Sequence, residues 1–270
     1  MTDELTAVYL AAGASSRFGG KMKFLARIGP NNETLLELSM NQAIYAGFSN
    51  FVFITSVNSQ KALKEVFGIE FKNIPIKYCI QETPEYREKP FGTAHAVLAS
   101  KDLIHTPFIT LNGDDLYGKE TLKGIANYLK QNKGSYCLPG YSAKNVLPKE
   151  KCNRGFINVD DEGFLKSIEE HFNISKDDIP SKYSGDEFMS MNLFGLQPEF
   201  LDYLEEQFQL FLKENQNNPT IEFLLPQVIH DFVQSKGINT AVIPTNDIPV
   251  GLTFPEDEEV VRNKLKCQPF

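Results

Sequence analysis

Two periods alternate along the first half of the chain. Short apolar runs at Thr6–Leu10, Phe51–Ile54, Ile74–Ile80 and Pro107–Leu111 predict strands. Between them, apolar residues recur at helical spacing. Leu35, Leu38, Met40, Ala43 and Ile44 mark a helix over Leu35–Ala46, and further helices are predicted near Gln60–Phe67, at Thr93–Ala99 and at Lys119–Lys130, with Gly134 as a stop. Strand alternating with helix predicts an α/β fold, a mostly parallel central sheet flanked by helices in a Rossmann-like arrangement. In such sheets ligands sit beyond the carboxyl ends of the strands, so the loops after Leu10 and Leu111 are the first places to look for chemistry.

The second half changes character. Gly155–Val159, the acidic turn Asp160–Gly163 and Phe164–Leu165 read as a β-hairpin. Lys176–Gly185 is polar and reads as a mobile loop, and Phe188–Leu196 as one strand. Helices are predicted at Glu199–Glu214 and Ile221–Gln234, a strand at Asn239–Ile243 and a short amphipathic helix at Glu256–Lys266. With no internal repeat and no low-complexity linker, residues 1–270 read as a single domain, with a substrate-facing β subdomain around residues 139–197.

Composition narrows the partners. The 270 residues suffice for one large α/β domain or two small ones, and 41% apolar with 23% charged residues is ordinary for a globular chain. A net charge of −8 and a pI near 5.2 disfavour a nucleic-acid partner, which requires a basic face. A small anion needs only a local cationic pocket, and Arg17, Lys21, Lys23 and Arg27 fall within one short segment. The four cysteines, Cys79, Cys137, Cys152 and Cys267, form no C-x-x-C pair, which argues against structural zinc and suits a reduced, cytoplasmic protein. The opening MTDELTAVYLAAG is acidic and then too briefly apolar for a signal peptide, and no segment approaches the roughly 20 apolar residues of a membrane span.

The loop after the first strand runs Leu10-Ala11-Ala12-Gly13-Ala14-Ser15-Ser16-Arg17-Phe18-Gly19-Gly20-Lys21-Met22-Lys23-Phe24-Leu25. Small residues let backbone N–H groups approach an anion, the two serines add hydroxyl donors, and Arg17 and Lys23 add charge. The loop is neither a P-loop nor a dinucleotide fingerprint, so the ATPase and dehydrogenase readings lose their main support. LAAG-x-x-S-R-x-G followed by K-x-L resembles the signature of nucleotidyltransferases with a GT-A-like fold, among them sugar-nucleotide pyrophosphorylases and several cytidylyltransferases. Met22 stands where many sugar-nucleotide pyrophosphorylases have Pro before the lysine. The resemblance implies that Leu10, Ala12, Gly13, Ala14, Ser15 and Ser16 bind the nucleotide and that Arg17 and Lys23 are catalytic.

Two further segments extend the resemblance. Gln81 ends the third predicted strand, and Gly92-Thr93-Ala94-His95-Ala96-Val97 opens a helix whose first N–H groups are unpaired. This run is similar to the G-T-x-H-A segment of uridylyltransferases acting on hexose and hexosamine 1-phosphates, which implies uracil contacts from Gln81, Gly92 and Thr93. The residues themselves also allow Thr93 to be a helix cap and His95 to be a packed helix residue. Asn112-Gly113-Asp114-Asp115 ends an apolar strand in two carboxylates, suited to Mg²⁺, which takes one or two carboxylates plus phosphate and water. The family's G-D segment maps its metal ligand onto Asp114, leaving Asp115 to shape the loop. A second ligand is expected near the C-terminus, where Asp247 is the nearest carboxylate at an unconvincing spacing.

On the acceptor side, Arg154-Gly155-Phe156, Glu169-Glu170-His171 and Met191-Asn192-Leu193-Phe194-Gly195 follow the family's order, which implies sugar contacts from Gly155, Glu170 and Asn192. His171 and Phe172 stand where the family usually has a lysine for the sugar phosphate, so His171 or another cation takes that role. The resemblance implies an enzyme joining NMP, from UTP by the closest match, to a sugar 1-phosphate with Mg²⁺. Three rivals remain. One is a cytidylyl- or guanylyltransferase for another phosphorylated small molecule. Another is a glycosyltransferase, whose usual D-x-D is not met by Asp114-Asp115-Leu116. The third is a nucleotide-sugar sensor without turnover.

Overall fold

A computed structural model describes residues 3–13, 22–215, 218–252 and 257–267. In chain order the elements are β1 (Thr6–Ala11), α1 (Leu35–Ala46), β2 (Asn50–Thr55), α2 (Val57–Phe67), β3 (Glu70–Phe71), β4 (Ile74–Ile80), α3 (Thr93–Leu98), β5 (Phe108–Asn112), β6 (Asp115–Leu116) and α4 (Lys119–Gln131). There follow β7 (Tyr136–Ser142), α5 (Ala143–Val146), β8 (Cys152–Val159), β9 (Leu165–Ile174), β10 (Phe188–Met189), β11 (Phe194–Leu196), α6 (Phe200–Glu214), α7 (Leu225–Lys236), β12 (Thr240–Thr245), β13 (Val250–Gly251) and α8 (Asp257–Cys267). No helix among the described residues is long and apolar enough to cross a membrane.

The strands join in the order β3-β4-β2-β1-β5-β11-β7-β10-β8-β9, with β12 beside β7. Strands β4, β2, β1 and β5 pair in parallel, as the alternating pattern predicts. The second half extends this sheet through antiparallel pairs, while β7, β8 and β12 still run in the sense of β5. Alternation along each strand sends side chains to two cores. Val8, Val52 and Ile54 pack with α3, α6 and α7, whereas Ala7, Tyr9, Phe51 and Phe53 pack with α1, α2 and α4. Each fully buried aromatic on these strands contributes roughly 1.5–3 kcal/mol through the hydrophobic effect.

Local chemistry sets the helix ends. Thr34 and Glu37 form a capping box at the start of α1, and Gly47 closes it in the left-handed region at φ +93°. Helix α7 starts at Leu225, four residues later than the apolar spacing predicts, because Pro226 belongs in a first turn. The residues before it are extended: Phe223 exchanges backbone bonds with Phe91 and Ala94 at the mouth of α3. The hairpin is also longer than predicted, with β8 and β9 pairing from Cys152↔Ile174 to Val159↔Leu165.

The predicted strand Phe188–Leu196 is broken. Its two pieces lie along one edge of β7, with Met189 opposite Tyr141 and Gly195 opposite Cys137. Unbroken pairing from Met189 would set Leu193 opposite Cys137, so the break holds two extra residues. Within it Asn192 adopts φ +59°, a left-handed conformation that asparagine tolerates. On its other edge the first piece pairs with β8 and the second with β5, so one interrupted strand joins the two halves of the sheet. A small satellite core of Ala143, Leu147, Phe156, Ile174, Tyr183 and Met189 fills the subdomain beyond the break. The stretch 176–185 is a loop, as predicted, and Tyr183 seats it on this core.

Candidate active site

The carboxyl ends of β1 and β5 meet. The Gly113 amide donates to the Leu10 carbonyl at 3.0 Å, and a Cβ on Gly113 would stand 3.2 Å from that oxygen. Glycine therefore lets the two loops touch. Leu10 is partly buried at the strand end, Ala12 is partly exposed and Gly13 is exposed. Ala14, Ser15, Ser16 and Arg17 lie outside the described residues. Where the described chain resumes, a single 3₁₀ turn, Lys23–Leu25, buries Phe24 in the core beneath α1 and carries Lys23 toward β5. Lys23 Nζ lies 3.5 Å from Asp114 Oδ2, joining a cation and a carboxylate that sequence reading had named separately.

Asp114 is the more open of the two adjacent carboxylates. Asp115 accepts a hydrogen bond from Asn112 Nδ2 at 2.9 Å and pairs through its backbone with Gly251 of β13. Burial and the neighbouring Asp114 charge push the Asp115 carboxyl up to about 7. The fully buried Tyr117 pins this loop to the broken strand: its hydroxyl accepts from the Asn112 amide at 3.0 Å and donates to the Met191 carbonyl at 3.1 Å. Thr110 Oγ1 donates to the Asn192 carbonyl at 3.2 Å. Asn192 is thus held beside the Asp114 loop by β5 itself.

Asp247, the C-terminal carboxylate considered as a second metal ligand, is engaged elsewhere. Its Oδ2 accepts from the Thr121 amide at 2.8 Å and from Thr121 Oγ1 at 3.0 Å, capping the first turn of α4. Gly118 at φ +96° makes this possible, since a Cβ there would collide with the Asp247 carboxylate.

Gln81, Gly92 and Thr93 come together at the start of α3. Gln81 Nε2 donates to the Gly92 carbonyl at 2.8 Å and lies 3.3 Å from His95 Nδ1. The carbonyl demands a donor, which fixes the amide orientation and leaves Gln81 Oε1 as the end available to a ligand. Gly92 adopts φ +106° and a Cβ would stand 2.8 Å from the Phe223 carbonyl oxygen, so backbone packing requires glycine here. Thr93 does not cap its own helix. Its hydroxyl accepts the Leu225 amide of α7 at 3.0 Å. His95 is a packed residue, its ring stacked on Phe208 at 4.7 Å, and burial together with the Arg87 charge brings its pKa down to about 4. The buried Arg87 lies over Phe91 and donates to the carbonyls of Lys89, Asn218 and Ile221, strapping the 218–221 segment to the approach to α3.

In the β8–β9 hairpin, where the sequence places the acceptor contacts as an expectation, the register makes Gly155 and Glu170 direct cross-strand partners. A Cβ on Gly155 would meet Ile168 Cγ2 at 2.8 Å and lie 3.5 Å from Glu170 Oε2, so the Glu170 side chain leans over the bare glycine. The Ser190 amide donates to the Gly155 carbonyl at 2.8 Å, tying this pair to the break that holds Asn192. Partial burial raises the Glu170 carboxyl, opposed by Arg154 and His171. His171 is occupied: Nδ1 lies 2.9 Å from the Tyr183 hydroxyl and the ring packs 4.2 Å from Phe156. Tyr117, Tyr183 and Arg154 were not chosen from the sequence. Tyr183 fell within the predicted loop 176–185 and Tyr117 in the loop after Leu111, whereas Arg154 had a signal, a cation beside the candidate glycine.

Three solved structures share the fold. They are a protein from Bacillus anthracis assigned as a glucose-1-phosphate thymidylyltransferase (TM-score 0.72, 12% identity, 98% of this chain and 97% of that one), the inositol-1-phosphate CTP transferase from T. maritima (0.66, 16%, 98% and 97%) and a UDP-glucose pyrophosphorylase complexed with UDP-glucose (0.67, 16%, 98% and 100%). Residues 7–167 match the MobA-like NTP transferase domain, and the chain belongs to that family. Over 168 residues, 62% of this chain and 68% of the relative, it is 26% identical to D-glycero-alpha-D-manno-heptose 1-phosphate guanylyltransferase of Campylobacter jejuni.

Proposed function

We propose that the chain transfers a nucleoside monophosphate from an NTP to a sugar 1-phosphate, with UTP as donor and Mg²⁺ as cofactor. The observation that carries this reading is the meeting of Lys23 and Asp114 at 3.5 Å, at the joined carboxyl ends of β1 and β5. An acceptor phosphate oxygen attacks the α-phosphorus, forming the new P–O bond. The bond from the α-phosphorus to the β-bridging oxygen breaks, and pyrophosphate leaves with the electron pair. The attacking phosphate is already an anion, so no protein base is required. The task is to align two repelling anions and stabilise charge in transit.

Lys23 would touch the phosphates of both substrates. Arg17 and the N–H groups along Leu10, Ala12, Gly13, Ala14, Ser15 and Ser16 would hold the departing pyrophosphate. No group of three or more His, Cys, Asp or Glu residues among the described ones forms a dedicated metal cage. The open Asp114 carboxylate instead fits an ion that completes its shell with phosphate oxygens and water. Bound Mg²⁺ would neutralise charge on the reacting phosphates. Gly155, Glu170 and Asn192 would meet the sugar hydroxyls.

Gln81 Oε1 offers the base an acceptor, and Gly92 and Thr93 would flank it. Uracil, thymine and guanine present a ring N–H to such a group, whereas the corresponding nitrogens of cytosine and adenine are themselves acceptors. A second reading, GTP as donor, is favoured by the relative from Campylobacter jejuni, a guanylyltransferase. Pyrophosphate release with Mg²⁺, each NTP in turn and a panel of sugar 1-phosphates tests both. Release with UTP supports the first reading, and release with GTP alone moves the donor. No release with any pair overturns nucleotidyl transfer to a sugar 1-phosphate.

A further inference from the structure

Arg154 differs from the other cations of the acceptor side. β8 carries it next to Gly155, and the register sets it opposite His171. Its Nε is buried without a hydrogen-bond partner, and its Nη1 donates to the Asn153 carbonyl at 3.2 Å. No carboxylate among the described residues comes within ion-pair distance of it. Its charge is felt at Glu170, where it opposes the effect of burial. The Gly155 carbonyl accepts from the Ser190 amide, two residues before Asn192, which Thr110 holds beside the Asp114 loop, so β8 carries Arg154 to that end of the sheet. A buried guanidinium donor with no acceptor is unfavourable unless a ligand or an ordered water meets it.

Among the described residues, the other nearby cations already have a partner or are turned to solvent. Lys23 faces Asp114, Lys144 pairs with Asp186 at 2.6 Å, and the His171 ring is held by Tyr183 and Phe156. Lys151 and Lys166 are exposed. We propose that Arg154 binds the phosphate of the acceptor, gripping two of its oxygens with the planar guanidinium while Glu170 and Asn192 face the rest of the molecule. A guanidinium suits this task because its fork matches phosphate oxygens two at a time. The identity of the anion rests on the nucleotidyl-transfer reading. The presence of an anion site at Arg154 does not.

The test compares wild type, Arg154→Ala and Arg154→Lys in the pyrophosphate-release assay, with folding checked by thermal melting. In Arg154→Ala the KM for the sugar 1-phosphate is expected to rise at least tenfold while the KM for the NTP changes less than twofold. Arg154→Lys keeps the charge without the fork and should fall between, and it stands in if the alanine variant does not fold. An unchanged acceptor KM, or equal rises in both KM values, overturns the proposal. If wild type turns over no substrate pair, the nucleotidyl-transfer reading has failed, and the anion site is read separately by calorimetric titration with inorganic phosphate. Binding at least tenfold weaker in Arg154→Ala supports the site. Equal binding, or none by wild type, removes it.

Discussion

Lys23 and Asp114 face each other at 3.5 Å, with the lysine the more buried partner. If Lys23 also meets the phosphates, Lys23→Ala should lower kcat/KM by about 10²–10³, as loss of one preorganised transition-state donor does. Asp114→Asn should shift the Mg²⁺ titration of the rate to higher concentration. Rates measured across a Mg²⁺ series separate the two variants, and a Lys23→Ala enzyme with near-normal turnover would remove that residue from the chemistry. His95 makes a different prediction. Its pKa in the fold is about 4 against an ordinary 6.5, because burial and Arg87 disfavour the imidazolium. Between those values the unfolded chain binds a proton that the folded one does not, so stability falls as pH drops from about 6.5 toward 4. The loss at the acid end is at most roughly 3 kcal/mol. Melting curves of wild type and His95→Gln at pH 7.5 and pH 5 check this: the variant should lose less on acidification.

Among the elements, α4 shows how distant sequence completes local structure. Its first turn has no side-chain cap of its own, and Asp247, more than a hundred residues later, supplies one through Thr121. Asp247→Ala is expected to cost about 1 kcal/mol of stability, the usual value of a helix cap, and to leave the Mg²⁺ dependence of the rate unchanged. A shifted Mg²⁺ titration would return Asp247 to the metal. Strands β1, β2, β4 and β5 and their helices were legible because each carries its own period, and β4 falls at the predicted Ile74–Ile80. The start of α7 was not legible from apolar spacing, because Ile221 and Phe223 continue the pattern while their backbone is committed to α3 and Arg87. Nor was the break in 188–196, since Met191 and Leu193 look like strand residues and only pairing with β7 shows the two extra positions.

Across the whole molecule, the candidate site divides as the sheet does. The proposed nucleotide side lies at the ends of the parallel strands, where the strand-end rule alone pointed to the loops after β1 and β5. The acceptor side needed the resemblance to be noticed at all, because Gly155, Glu170 and Asn192 lie far apart in sequence and meet only through antiparallel register and one irregular strand. Arg154 escaped selection because nothing in its own segment says that its guanidinium goes unpaired. The irregular strand has a consequence of its own. A chain shortened by two residues between Met189 and Phe194 could pair continuously with β7 and give a more regular sheet, yet it would withdraw the Asn192 carbonyl from Thr110 and the Met191 carbonyl from Tyr117. Regularity and chemistry pull in opposite directions at this point. The interruption exchanges ladder bonds of a continuous strand for two side-chain bonds that moor it to β5 and to the turn beyond it.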